Sequence, residues 1–193
     1  MPGAKKLTLT IVASTSVVLL GACSSHDMGS MGMADSVPES AVFNEADVTF
    51  SQMMIPHHEQ EIEMSDIALD PNTDASDAIT ALATQIKGAQ DPEISQMKNL
   101  ITTWGMPTDM GSMEHSSMMD GMLSLDEMKT LGKLRGPEFG KAWAKAVIAH
   151  HKGALAMAND VLANGENSEI LTLARAVVSG QTSEIEILEP LAD

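Results

Sequence analysis

The sequence predicts an all-α protein, a four-helix bundle made of two repeated helical hairpins. Three observations carry this. The chain of 193 residues is 44% apolar but only 3% aromatic and has no Tyr. Its core must therefore be built from Ala, Leu, Ile, Val and Met, which suit packed helices better than strands. Helix start and stop signals bracket four long segments. The two halves also repeat. An offset of 93 aligns Ile55-Pro56-His57-His58 with Ile148-Ala149-His150-His151, and Met64 with Met157; an offset of 91 aligns Gln90, Glu93 and Ile94 with Gln181, Glu184 and Ile185.

Residues 1–22 read as a secretory signal peptide: Lys5 and Lys6 precede an apolar stretch, Leu7 to Leu20, that is too short to span a bilayer. The stretch "LGAC", Leu20 to Cys23, resembles the lipobox of bacterial lipoproteins. It predicts that Cys23, the only Cys, is acylated with palmitate-type chains and becomes the first residue of an extracytoplasmic, membrane-anchored lipoprotein. Residues 23–43 are rich in Ser, Gly, Asp and Met and read as a flexible tether.

The domain is expected over 44–193. Asn44 should cap a helix that runs to Leu69 and stops at Asp70-Pro71. A second helix is expected from Ser76 to Trp104, closed by Gly105; these two form the first hairpin, about 46–105. Residues 106–122, "MPTDMGSMEHSSMMDGM", are too rich in Gly, Ser and Asp for a stable helix and read as a connecting loop. Ser124 and Glu127 form a capping box for a short helix to about Leu134. Gly136-Pro137 opens a long helix to Asn164-Gly165, and Ser168 should cap the last, which should stop at Glu189-Pro190. The second hairpin thus covers about 137–190. Pro56 and Pro92, inside helices of the first hairpin, are expected to kink them.

The net charge of -16 argues against a nucleic-acid partner and suits a protein that attracts cations. Residues three and four apart share a helix face, so Met54, His57, His58, Glu61 and Met64 form one stripe, and Gln90, Glu93 and Met97 another. If the stripes face each other, thioether and imidazole ligands converge inside one hairpin. The second half keeps His150, His151, Met157, Gln181 and Glu184, but has Val147 and Ala154 where the first has Met54 and Glu61. The first half is therefore expected to bind better. Met64, Met97 and Met157 are also reasonable core residues. Glu93 and Glu184 could instead orient the imidazoles by hydrogen bonds.

Thioether sulfur favours Cu(I), while imidazole also takes Cu(II), Zn and Ni. The loop carries Met106, Met110, Met113, Met118, Met119 and Met122 with His115, in a segment with no core of its own, which suggests metal capture. An enzyme is not expected. No His follows a Glu by three residues as a di-iron bundle requires, and HExxH, a glycine-rich phosphate loop and GxSxG are all missing from the sequence. The expected function is copper binding, Cu(I) preferred, for scavenging, carriage or resistance. The alternative is a metal-free envelope interaction module.

"FSQMMIPHHEQEIEMSDIAL" with "LATQIKGAQDPEISQM", and "FGKAWAKAVIAHHKGALAMANDVL" with "LARAVVSGQTSEIEIL", resemble the paired motifs of the domain of unknown function 305 family, over roughly residues 46–190. The resemblance implies a ferritin-like fold, export, and copper handling of the kind found in CopM-like copper-binding proteins. The implied partners are a metal ion, a membrane reached through Cys23, and a copper-exchange protein of unspecified identity. The chain departs from the family pattern at Val147 and Gly140, where Met and Asp are common, which weakens the case for a second full site.

Overall fold

The computed structural model describes residues 42–108 and 119–193. Among these there are five α-helices and no strands: α1 Glu45–Leu69, α2 Asp77–Thr103, α3 Leu125–Leu131, α4 Gly136–Asn164 and α5 Ser168–Ala192. No described helix is long and apolar enough to cross a membrane. The secretory signal, the lipid-anchor cysteine and the tether lie outside the described residues.

Local chemistry sets most of the boundaries. Asn44 caps α1, accepting from the backbone N–H groups of Ala46 and Asp47, while the Asp47 side chain reaches back to the Asn44 N–H. The α1–α2 connection is a 3-10 turn, Pro71–Thr73, and Ser76 caps α2. Gly105, at φ 68°, ends α2. Its N–H donates to Thr102 and that of Met106 to Ile101, the paired bonds of a left-handed helix stop. The capping box of Ser124 and Glu127 opens α3.

Two boundaries differ from the sequence expectation. The cap of α5 is Asn167, one residue earlier than Ser168; its buried side chain accepts from Glu169 and Ile170. Pro190 does not stop α5, which continues to Ala192. A proline this close to a helix end costs a single backbone bond, and burial of Leu188 and Ala192 holds the last turn in place. Both α1 and α2 also run on through Pro56 and Pro92.

The helix backbones pack closely in the pairs α1–α2, α4–α5 and α1–α4. The α1 start is stitched to the α4–α5 turn by the buried Asp47, whose Oδ2 accepts from the N–H groups of Glu166 and Asn167, both at 3.1 Å. Trp143, fully buried on α4, donates its indole N–H to the Met64 carbonyl of α1 at 2.9 Å.

The core falls into two apolar clusters. One gathers Phe50, Met54, Ile94, Met97, Ile101, Ala154, Ala158, Ile170 and Val177. The other gathers Met64, Ala68, Ile79, Ile86, Phe139, Trp143, Val147 and Leu188. Every long helix contributes to both, and each breaks its apolar stripe at one level in between.

Candidate metal centre

The break comes at His57, His58 and Glu61 on α1, Gln90 and Glu93 on α2, His150 and His151 on α4, and Gln181 and Glu184 on α5. These positions lie between the two apolar clusters along each helix, so the polar side chains form one layer across the middle of the domain. His57, His58, Glu61, His150 and His151 are all completely buried. Burying so many polar groups is costly unless they satisfy one another or a ligand.

Glu61 is the hub. Its Oε2 lies 2.7 Å from His150 Nδ1 and 3.2 Å from His151 Nδ1. His151 Nε2 lies 2.9 Å from Glu184 Oε2, and His58 Nε2 lies 2.8 Å from Glu93 Oε2. Each outer glutamate thus orients one imidazole. The His57 and His150 rings meet with centroids 3.7 Å apart, tilted by 37°. These are corresponding residues at the 93-residue offset, as are His58 and His151.

Satisfaction is incomplete. His58 Nδ1, His150 Nε2, Glu61 Oε1, Gln90 Oε1 and Gln181 Oε1 are buried and lack a hydrogen-bond partner. The Nδ1 atoms of His150 and His151 lie within ion-pair distance of Glu61 without aligning for a hydrogen bond. Buried polar atoms are nearly always paired, so this concentration in one layer suggests a ligand. One donor atom each from Glu61, His150 and His151 can be chosen with all three within 4.8 Å of one another, a span that fits a metal ion.

The electrostatics are polarised. Burial alone would raise the Glu61 pKa, but the neighbouring His151 and His150 outweigh it and hold the carboxyl well below the usual range. Burial likewise works against a charge on His151; the Glu61 carboxylate and the Glu184 hydrogen bond reverse this and raise its pKa to about 9. His57 is pushed well below the ordinary histidine value by burial, then by His150 and His58, so it is neutral at pH 7. At pH 7 the metal-free protein therefore holds a neutral His57 and an ionised Glu61, while His151 keeps its proton and would release it on taking a metal ion.

A short strap closes the α1–α4 side. Gln60 binds it at both ends of its amide, donating to the Leu123 carbonyl and accepting from the Leu123 N–H, each at 2.8 Å. The Asp120 carbonyl sits against Gly153, and Gly121, at φ 87°, sits against the Ala149 backbone. Neither glycine leaves room for a Cβ. Met119 is buried in the same strap. On the other side of the connection Gln52 donates to the Pro107 carbonyl at 2.7 Å.

The expected ligands are therefore brought together in a different grouping. The acid from the first half meets the histidines of the second, where the sequence stripes suggested separate sites within each hairpin. Met54 and Met97 are wholly buried in one apolar cluster, Met64 in the other, and Met157 packs half-buried against the first. Met106 is exposed and Met122 half-buried. Met110, Met113, His115 and Met118 lie outside the described residues. Sequence reasoning placed Gln90 and Gln181 on the candidate stripes without naming them as ligands. Their signal was present: each sits three residues before a site glutamate, on the same helix face.

Comparison with known proteins gives one family. The family described as Domain of unknown function (DUF305) matches residues 47–192. No curated protein matches the chain. Among solved structures, a DUF305 fragment from Deinococcus radiodurans is 29% identical, with a TM-score of 0.69, covering 77% of this chain and 96% of its own. A DUF305 protein from Streptomyces coelicolor, described as secreted, is 29% identical with a TM-score of 0.67, covering 76% and 91%. CopM in its Cu(II)-bound form is 28% identical with a TM-score of 0.64, covering 76% and 95%. CopM is also known in Cu(I)-bound, silver-bound and apo forms.

Proposed function

We propose that this chain, which belongs to the DUF305 family, binds copper in its central polar layer and serves in copper scavenging, carriage or resistance outside the cytoplasm. The observation that carries the reading is the buried group of Glu61, His150 and His151, with donor atoms within 4.8 Å of one another. Two imidazoles and a carboxylate suit Cu(II), and the Irving–Williams order ranks it above the other divalent first-row metals at such a site. Thioethers are missing from that triad, so Cu(I) would draw on Met54, Met64, Met97 or Met157, which flank the layer along their helices. The metal-bound forms of CopM support copper as the ion. The secreted relative and the signal-like N terminus support export, with a lipid anchor at Cys23 as the mode of retention. We read the architecture as a ferritin-like four-helix bundle.

The test is equilibrium titration of the folded domain with Cu(II), and anaerobically with Cu(I), against a competing chelator. His150→Ala with His151→Ala should abolish the tightest Cu(II) site. His57→Ala with His58→Ala should weaken it and leave the triad in place. A wild-type domain that retains no copper would sink the reading in favour of a metal-free interaction module. Tight binding that survives loss of His150 and His151 would move the site elsewhere.

A further inference from the structure

The triad is sealed from solvent, so a cation must reach it by a particular side. Apolar clusters lie above and below the layer. The α1–α4 side is covered by the Met119–Leu123 strap, and α1–α2 and α4–α5 are closely packed. The remaining side is the seam between α2 and α5, whose backbones do not pack closely. Beyond the layer, toward the α2 C-terminal end, a solvent groove of about 600 Å³ is lined mainly by α2, from Pro92 through Gln96 and Leu100, and meets α5 at Glu169.

That seam is lined with oxygen. Glu93 and Glu184 occupy corresponding places on α2 and α5; their side chains are 20% and 8% exposed, against zero for the histidines they touch. Gln90 and Gln181 also correspond, and each has a buried amide oxygen without a partner. The Gln90 nitrogen is turned toward Glu61 at 3.4 Å, which leaves its oxygen directed elsewhere. Outermost is the exposed Gln85, which donates to Glu184 Oε1 at 3.2 Å. Polar atoms thus lead from the surface to the triad: Gln85, Glu184, His151, Glu61.

We propose that hydrated cations enter between α2 and α5, are taken first by the oxygens of Glu93, Glu184, Gln90 and Gln181, and pass from there to the imidazoles. Carboxylate and amide oxygens exchange readily with the water around an incoming ion. They hold copper less tightly than imidazole does, so they form a station rather than a store. The net charge of -16 favours the approach of cations to the chain as a whole. Glu93 and Glu184 therefore have two tasks, orienting His58 and His151 and admitting the ion. The proposal rests on the copper reading above.

The test is stopped-flow loading of the folded protein with Cu(II), followed by quenching of tryptophan fluorescence, together with copper per chain at equilibrium. Glu93→Gln with Glu184→Gln keeps an acceptor oxygen for each imidazole and removes both charges. Loading should slow roughly tenfold, a larger factor than the accompanying change in copper affinity at equilibrium. Gln85→Lys, at the exposed end of this chain of polar atoms, replaces the amide beside Glu184 with an ammonium and should slow loading as well; it decides the matter if the double variant fails to fold. Wild-type rates in both variants would overturn the route. So would weaker equilibrium binding at an unchanged rate, which would make the glutamates resident ligands. A wild-type protein that binds no copper removes the function reading itself, and the route with it.

Discussion

At corresponding positions α1 carries Gln60 and Glu61, where α4 carries Gly153 and Ala154. The rest of the layer is matched between the halves: His57 with His150, His58 with His151, Gln90 with Gln181, Glu93 with Glu184. The matched residues make matched contacts, two His–Glu pairs at 2.8 and 2.9 Å and one tilted contact between equivalent rings. The two unmatched positions create everything that is one-sided. Glu61 places a carboxylate against the histidines of α4, and Ala154 offers nothing comparable to those of α1. Gln60 grips the strap through its amide, and Gly153 makes room for it. A duplicated frame supplies the imidazoles, and two neighbouring substitutions turn a symmetrical layer into a directional site.

The largest break in that comparison is Glu61→Ala, which matches this position to Ala154 of the other half. It leaves His151 buried with Glu184 as its one remaining carboxylate and takes away the oxygen 2.7 Å from His150 Nδ1. Loss of one member of a buried charged pair typically costs about 3–5 kcal/mol. Thermal unfolding of the metal-free variant should show a loss of that size, and Cu(II) retention should fall with it. Ala154→Gly, at the matching position, lacks any charge to remove and should leave copper binding intact. Equal copper binding in wild type and Glu61→Ala would show that the acid is structural alone.

A smaller effect follows from pH in the metal-free protein. His151 has a folded pKa of about 9, raised above its unfolded value of 6.5. The folded state therefore binds its proton more tightly, and the stability this gives is present below about pH 6.5 and is lost as pH rises toward 9. A shift of this size corresponds to roughly 3 kcal/mol at most. His57 works in the opposite sense. Its lowered pKa means the unfolded chain takes up a proton first as pH falls below 6.5, which destabilises the fold. Glu61, also lowered, adds to the loss in acid once pH falls below its unfolded value. Stability measured by denaturant unfolding should peak near pH 6.5 and fall on both sides. A flat profile between pH 6.5 and 9 would refute the Glu61–His151–Glu184 chain of charges.

Most of the helix plan was legible, because caps and stops act through neighbours in sequence: Asn44, Ser76, Gly105 and Ser124 work within four residues of themselves. Misplacement of the last helix's ends has the same origin. Asn167 and Ser168 are both good caps, and burial of Asn167 decided between them. Pro190 reads as a stop until the packing of Leu188 and Ala192 is known. The ligand types were legible too, from the doublets and the Gln-x-x-Glu spacing. Their grouping was not. Helical periodicity shows which residues share a face, but which helix that face meets is set by the packing of α1 on α4. The strap was hidden for a related reason: a glycine inside a helix such as Gly153 signals close approach without saying what approaches.

The mildest change tests that approach directly. Gly153→Ala should favour the α4 helix by up to about 1 kcal/mol if nothing else changed, since alanine is the better helix former. Here the added Cβ would overlap the Asp120 carbonyl oxygen and come within 3.2 Å of His57 Nε2. The oxygen belongs to backbone held by Gln60 at Leu123 and by the tight turn at Gly121, so it cannot swing aside as a long side chain would. Overpacking of this kind costs about 1–3 kcal/mol, so the net effect should be a modest loss of thermal stability. Gln60→Ala removes the grip from the other half and leaves the space intact. It should loosen the strap as well, and in the double variant the penalty at position 153 should shrink, because a released strap can move away from the new methyl group. A Gly153→Ala protein more stable than wild type, or a penalty unchanged when Gln60 is removed, would mean that the strap is not held between these two matched positions.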